Sequence, residues 1–194
     1  MAEREDKSKP VYTYDPPDRF VAGAVGSPGE RTFYLQASAA GRVTSVTLEK
    51  FQVSLLAERL DELLDEVLRR TGGQAAVPAA APVELADDGP LDLPLMEEFR
   101  VGAIALAWDG EDERVVIEAQ EESENPVEPL ADDVPESGPA VLRVRITPAE
   151  ARAFSRRALQ IVAQGRPACP LCGLPLDAEG HVCPRQNGHR VIDA

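Results

Sequence analysis

Cysteine is absent from the first 168 residues and histidine from the first 180, so all three cysteines and both histidines fall within the last 26. No Cys–His or Ser–His pair can therefore be assembled from the body of the chain, which excludes nucleophilic catalysis of that kind there. The odd, clustered cysteine set argues against a disulfide framework and suits a reducing compartment with metal ligation. No apolar run approaches the roughly 18 residues of a membrane span. The charged start, Met1 to Pro10, lacks the apolar stretch of a secretory signal. These absences predict a cytoplasmic protein with no membrane association. Aromatic residues make up only 5% of the chain, so any core must be built from Val, Leu, Ile and Ala. Disorder throughout is excluded, because 43% of the 194 residues are hydrophobic, enough for one sizeable core or two small ones.

The net charge of −14 is unevenly placed. Residues 1–138 carry 12 basic and 30 acidic side chains, a net −18, whereas residues 139–194 carry a net +4. An acidic body repels nucleic acid and anionic membrane. The basic C-terminal part can face an anionic partner or the acidic body of its own chain, and the second reading is preferred.

Residues 1–10 read as a solvated tail, followed by an α+β body over 11–164. Val11–Tyr14, Arg19–Val25, Thr32–Ala37 and Arg42–Leu48 have strand character, with Ala39-Ala40-Gly41 as a hairpin loop, giving two or three antiparallel strands. From Glu49 to Arg70, Val53, Leu56, Leu60, Leu63, Leu64 and Val67 recur at three- and four-residue spacing, the stripe of an amphipathic helix. The preceding hairpin is the nearest surface for that stripe. Residues 72–94, rich in Ala, Pro and Gly, read as a linker or loop. Strands follow at Glu98–Trp108 and Arg114–Ala119 around the turn dipeptide Asp109-Gly110. An acidic loop spans 121–138, and Ala140–Ile146 is another strand. Thr147-Pro148-Ala149-Glu150 is a capping box that opens a helix to about Gln164, burying Ala151, Phe154, Ala158 and Ile161 or Val162. Strand, junction threonine and helix thus occur twice, which suggests an internal duplication. The predicted architecture is α+β: a mostly antiparallel sheet with two amphipathic helices packed on it, plus a small C-terminal zinc knuckle over 165–194.

Chemistry concentrates in that last segment. Cys169-Pro-Leu-Cys172-Gly173 places two thiolates three positions apart on a turn, and the glycine lets the backbone continue without a Cβ clash. Structural zinc takes four tetrahedral ligands. His181 and Cys183, if extended, present both side chains to one face and complete the set Cys169, Cys172, His181 and Cys183. His189 is the competing fourth ligand. His181 is preferred because Cys183-Pro-Arg-Gln186 resembles the second knuckle of a zinc ribbon, with Gln186 in place of its last cysteine. A thioredoxin-like redox pair is disfavoured, since this Cys-x-x-Cys follows a helix and has no βαβ setting. Four protein ligands leave no open position, which points to structural and not catalytic zinc.

Other candidates are weaker. Gly23 to Gly29 lacks the Lys-Ser/Thr of a P-loop and the strand-to-helix setting of a dinucleotide fingerprint, and reads as a turn. Asp15, Asp18 and Glu118 are the acids available to an enzyme acting on a small polar substrate. Arg152, Arg156, Arg157, Arg166, Arg185 and Arg190 are those available to a nucleic-acid surface, which the overall charge argues against.

Three stretches resemble DUF3090, a family of actinobacterial proteins without an established activity: Tyr14-Asp-Pro-Pro-Asp-Arg-Phe-Val-Ala-Gly23; Arg31-Thr-Phe-Tyr-Leu-Gln-Ala37 with Leu48-Glu-Lys-Phe-Gln-Val53 and Leu56-Ala-Glu-Arg-Leu-Asp-Glu-Leu-Leu64; and Cys169-Pro-Leu-Cys-Gly173 through Cys183-Pro-Arg-Gln-Asn-Gly188. The resemblance spans most of the chain. It implies that an aromatic residue commonly stands at the position of His189, which favours His181 as ligand, and it supplies no mechanism. The resulting expectation is a cytoplasmic adaptor or regulatory protein that binds a protein partner, leaning away from an enzyme. A shallow apolar groove would support that reading, and a deep pocket lined by two of the three acids would support an enzyme.

Overall fold

The structure is a computed structural model, and it describes residues 10–124, 127–131, 138–165, 169–172, 183 and 185. Seven strands form one sheet: β1 (Val11–Tyr14), β2 (Arg19–Val25), β3 (Thr32–Ala39), β4 (Arg42–Leu48), β5 (Glu97–Asp109), β6 (Arg114–Glu121) and β7 (Val141–Ile146). Helix α1 (Lys50–Arg70) follows β4, and helix α2 (Pro148–Ala163) follows β7. The strand order is β1-β7-β6-β5-β4-β3-β2, with β1–β7 and β4–β5 parallel and the other pairs antiparallel. The mostly antiparallel sheet with two helices is the predicted architecture.

The duplicated pattern in the sequence has a topological counterpart. β2-β3-β4-α1 and β5-β6-β7-α2 are each an antiparallel meander followed by a helix, and the two units join along β4–β5. Each helix begins with a capping box, formed by Glu49 with Gln52 and by Thr147 with Glu150. The first junction differs from expectation. Thr47 lies inside β4, where its hydroxyl donates to Glu97 (2.7 Å), and Glu49 is the residue that caps α1. The N-terminal grouping also differs: β1 leaves its sequence neighbours and pairs with β7 at the far edge.

That placement dictates the shape of the sheet. β1 and β2 are opposite edge strands, yet only Asp15–Asp18 joins them. Seven flat strands would separate the edges by roughly 29 Å, whereas the connection from Tyr14 to Arg19 reaches at most about 18 Å. The sheet must curl until its edges approach. Side chains confirm this: the Tyr14 hydroxyl on β1 and the Thr44 hydroxyl on β4 share a buried hydrogen bond (2.7 Å). The Arg42 guanidinium lies 4.7 Å over the Tyr14 ring and donates to the Thr13 carbonyl (2.8 Å).

The concave face holds the core. Leu35, Val46, Ile117, Leu142 and Val144 from the strands form one apolar cluster with Val53, Leu56, Leu60 and Leu64 of α1 and with Ala151, Phe154 and Ala158 of α2. α1 packs side by side with α2, and its apolar stripe shares one core with Leu35 and Val46 of the preceding hairpin. Ile161 and Val162 are half-buried at the margin of this cluster.

The outer face is polar but covered. In each meander the central strand carries a buried polar side chain that clamps a loop. Gln36 on β3 bonds Ser45 (3.0 Å) and both backbone groups of Asp92 (3.1 and 2.7 Å). Glu118 on β6, 1% exposed, accepts from Arg143 (2.8 and 2.6 Å), Gln120 (2.8 Å) and the Leu130 amide (3.0 Å). Burying such groups is tolerated only when their hydrogen bonds are made.

Candidate metal centre

The turn after α2 carries Cys169 and Cys172, and Cys183 returns to it from 14 residues along the chain. The sulfur atoms of the three residues all lie within 4.8 Å of one another, and those of Cys169 and Cys183 are 3.9 Å apart. None is disulfide-bonded. Four ligands at about 2.3 Å around tetrahedral zinc would place neighbouring sulfurs about 3.8 Å apart, so this spacing suits metal ligation, whereas a disulfide needs about 2.05 Å. Cys169 and Cys183 are buried, 6% and 2% exposed, and Cys172 is partly exposed. The Arg185 guanidinium donates to the Leu171 carbonyl (3.0 Å), tying the second limb to the tip of the first turn. Three thiolates converging from two limbs can hold a metal ion. His181 and His189, the two candidates for the fourth position, lie outside the described residues.

The acids proposed for catalysis do not meet in one pocket. Glu118 is consumed in the clamp on the outer face. Asp18 accepts from the Ala40 amide (2.8 Å), and Asp15 lies 3.5 Å from Arg145, which also pairs with Asp109 (2.6 Å) and Asp112 (2.9 Å). A cavity of about 150 Å³ does bring Asp18 near Asp87 and Glu150, beside the stacked rings of Phe20 and Phe154. Glu150 is held in the α2 capping box and Asp87 between two arginines, so these carboxylates are already committed to structure.

Of the six basic residues assigned to a nucleic-acid surface, Arg152 and Arg157 are built into the fold, and Arg156 is half-buried on α2. Arg152, 6% exposed, reaches from α2 to Asp61 (2.8 Å) and Asp65 on α1 and to the Pro78 carbonyl (3.2 Å). Arg157 donates to the carbonyls of Ala22 (2.8 Å), Gly89 (2.7 Å) and Asp87 and to the Asp87 carboxylate (2.9 Å). Arg19 holds Asp87 from β2 through two bonds of 2.6 and 3.0 Å. Its guanidinium keeps the Asp87 carboxyl below the usual carboxylate range. Arg166 and Arg190 lie outside the described residues.

Together these contacts turn residues 72–94 into a strap. Ala75 and Val77 are buried, a short 3₁₀ turn spans Val83–Leu85, and Asp87–Leu91 wraps the edge strand β2. A side chain at Gly23 would collide with Leu91, as a Cβ there would sit 2.5 Å from its Cγ. The strap blunts an exposed sheet edge. Composition hid it, because its apolar anchors are single residues without period and its charged anchors bond partners about 70 residues away. Gly26 and Gly29 adopt positive φ in the β2–β3 turn, whereas Gly23 lies within β2, so only the second half of the Gly23–Gly29 stretch is a turn.

An apolar groove lies open between α1 and β5. Phe51 and Leu55 on α1, 66% and 46% exposed, flank a depression of about 230 Å³ floored by Leu56, Gly102, Ile104 and Leu106. Gly102 sits where the β5–β6 register shifts, and a Cβ there would meet the Glu122 backbone at 2.7 Å. Helical spacing gave Leu56 as a core residue and left Phe51 and Leu55 unassigned, which is the only sequence signal this groove has.

The sequence model of a family described as "Protein of unknown function (DUF3090)" matches residues 12–183. No curated protein and no solved structure matches the chain.

Proposed function

This chain belongs to the DUF3090 family, and we propose that it is a non-enzymatic cytoplasmic adaptor whose α1–β5 groove binds a protein partner and whose C-terminal knuckle is closed by one structural zinc ion. The observation that carries the adaptor reading is the open groove itself: two large apolar side chains of α1 stand exposed over an apolar floor, while Glu118, Arg152 and Arg157 are tied into ion pairs. A preformed concave apolar surface edged by polar groups, here Gln52 and Arg59, is a form in which partner segments are recognised. Zinc is supported by the donor set, since three thiolates with one imidazole favour a borderline-soft ion in tetrahedral geometry. His181 supplies the fourth ligand in this reading, with Cys169, Cys172 and Cys183. Bound there, the ion fixes the two limbs of the knuckle and offers no open position for chemistry.

The test exploits the exposure of Phe51 and Leu55, whose replacement by serine should leave the body folded. Crosslinking at native levels should recover a partner with the wild-type protein, and the Phe51→Ser/Leu55→Ser variant should lose it. Recovery of the same partner by both proteins, or of none by the wild type, contradicts the reading.

A further inference from the structure

We propose that Cys172 is an oxidation site for peroxides, at which reaction expels the zinc; this rests on the zinc reading above. The three thiols of the knuckle differ in access. Cys169 and Cys183 are sealed at 6% and 2% exposure, whereas Cys172 is partly exposed on the turn. Cys172 is therefore the residue of the three that a peroxide reaches most readily from solvent, and thiolate oxidation follows exposure. Two partners for the second step already stand within 4.8 Å, so neither limb has to travel far to resolve the product.

The chemistry balances with the peroxide as the sole oxidant. The Cys172 thiolate attacks the O–O bond of hydrogen peroxide; an S–O bond forms, the O–O bond breaks, and one oxygen leaves as water after protonation. The Cys169 or Cys183 thiolate then attacks the Cys172 sulfur; an S–S bond forms and the second oxygen leaves as water. Overall two thiolates, one peroxide and two protons give one disulfide and two waters. A single thiolate and one imidazole remain, too few to hold the ion.

Static proximity makes the opposite forecast. Cys169 and Cys183 are the pair 3.9 Å apart, so if distance alone governed, they would join and leave Cys172 reduced. The body contains no cysteine, so every thiol reading reports on this site.

The experiment treats the full-length zinc-loaded protein with excess hydrogen peroxide while a chromogenic chelator reports free zinc, then maps disulfides by mass spectrometry. Expected are about one zinc released per chain, a disulfide that includes Cys172, and recovery of zinc binding on dithiothreitol and zinc. Oxidation of the exposed Met96 adds oxygen to a different peptide and is separated by the same map. Retention of zinc under peroxide, or a Cys169–Cys183 disulfide with Cys172 still reduced, overturns the proposal. Absence of zinc before any peroxide is added overturns instead the zinc reading on which it rests.

Discussion

Replacing Arg157 by methionine should destabilise the protein more than replacing Arg152, although Arg152 is the more buried and binds two carboxylates. The forecast follows from what each loss leaves behind. Met keeps most of the apolar stem, so the comparison isolates the guanidinium. Without Arg152, its partners Asp61 and Asp65 are 37% and 71% exposed and return to water. That loss should cost about 1–2 kcal/mol. Without Arg157, the carbonyl of the fully buried Ala22 has lost the bond that satisfied its outer side, and the strap loses the donor to Asp87 and Gly89. Asp87 itself keeps Arg19, so no carboxylate is stranded. An orphaned buried carbonyl costs about 1–3 kcal/mol, and the lost charge-assisted bonds bring the total to about 2–4 kcal/mol. Urea unfolding followed by circular dichroism measures both variants, provided the slope with denaturant is unchanged. If Arg152→Met proves equal to or worse than Arg157→Met, the reasoning from stranded partners is wrong, and ion-pair counting would be the better guide.

Two further expectations follow from the same network. Arg19 and Arg157 depress the Asp87 carboxyl in the folded state. The stability it contributes is complete above the ordinary value of 3.8 and is lost as pH falls below it toward the depressed value. Asp87→Asn should flatten the decline of the urea midpoint across that acidic window, and an unaltered decline would remove Asp87 from the account. Glu118→Leu leaves the half-buried Arg143 without its carboxylate and the Leu130 amide without its acceptor. It should cost about 3–5 kcal/mol, with Glu118→Gln milder; a cost below about 1 kcal/mol for the leucine variant would show that the clamp is not what holds the outer loop.

The parts of this molecule that were legible in the sequence are those written as local periodicity. Of the α1 stripe, Val53, Leu56, Leu60, Leu64 and Val67 are buried as spaced and Leu63 is half-buried at the margin, and the capping box at Thr147 and Glu150 starts α2 where expected. The Asp109-Gly110 turn likewise joins β5 to β6. What escaped is non-local. Nothing within Val11–Tyr14 signals that it will pair with Val141–Val144, since a four-residue strand fits either edge equally. The curl follows from that one pairing and the short Asp15–Asp18 connection. Arg152 and Arg157 read as a basic helix face because an arginine in sequence carries no sign of a carboxylate 70 or more residues away. Glu118 drew notice as an acid, and only the register Glu118↔Arg143 shows that its charge is spent. The metal centre, by contrast, was legible for a local reason: spacing and turn residues marked Cys169, Cys172 and Cys183, and the fold brings their three sulfurs together.

The central claim is a zinc knuckle closed by four protein ligands, and metal analysis of five proteins tests it directly. The wild type, purified without chelator, should carry about one zinc per chain, and so should His189→Ala. Cys172→Ser, Cys183→Ser and His181→Ala should each lose most of it, while the body, which has its own core, stays folded by circular dichroism. A wild type devoid of zinc would contradict the claim outright. Full retention in His181→Ala with loss in His189→Ala would contradict the ligand set and move the fourth position to His189.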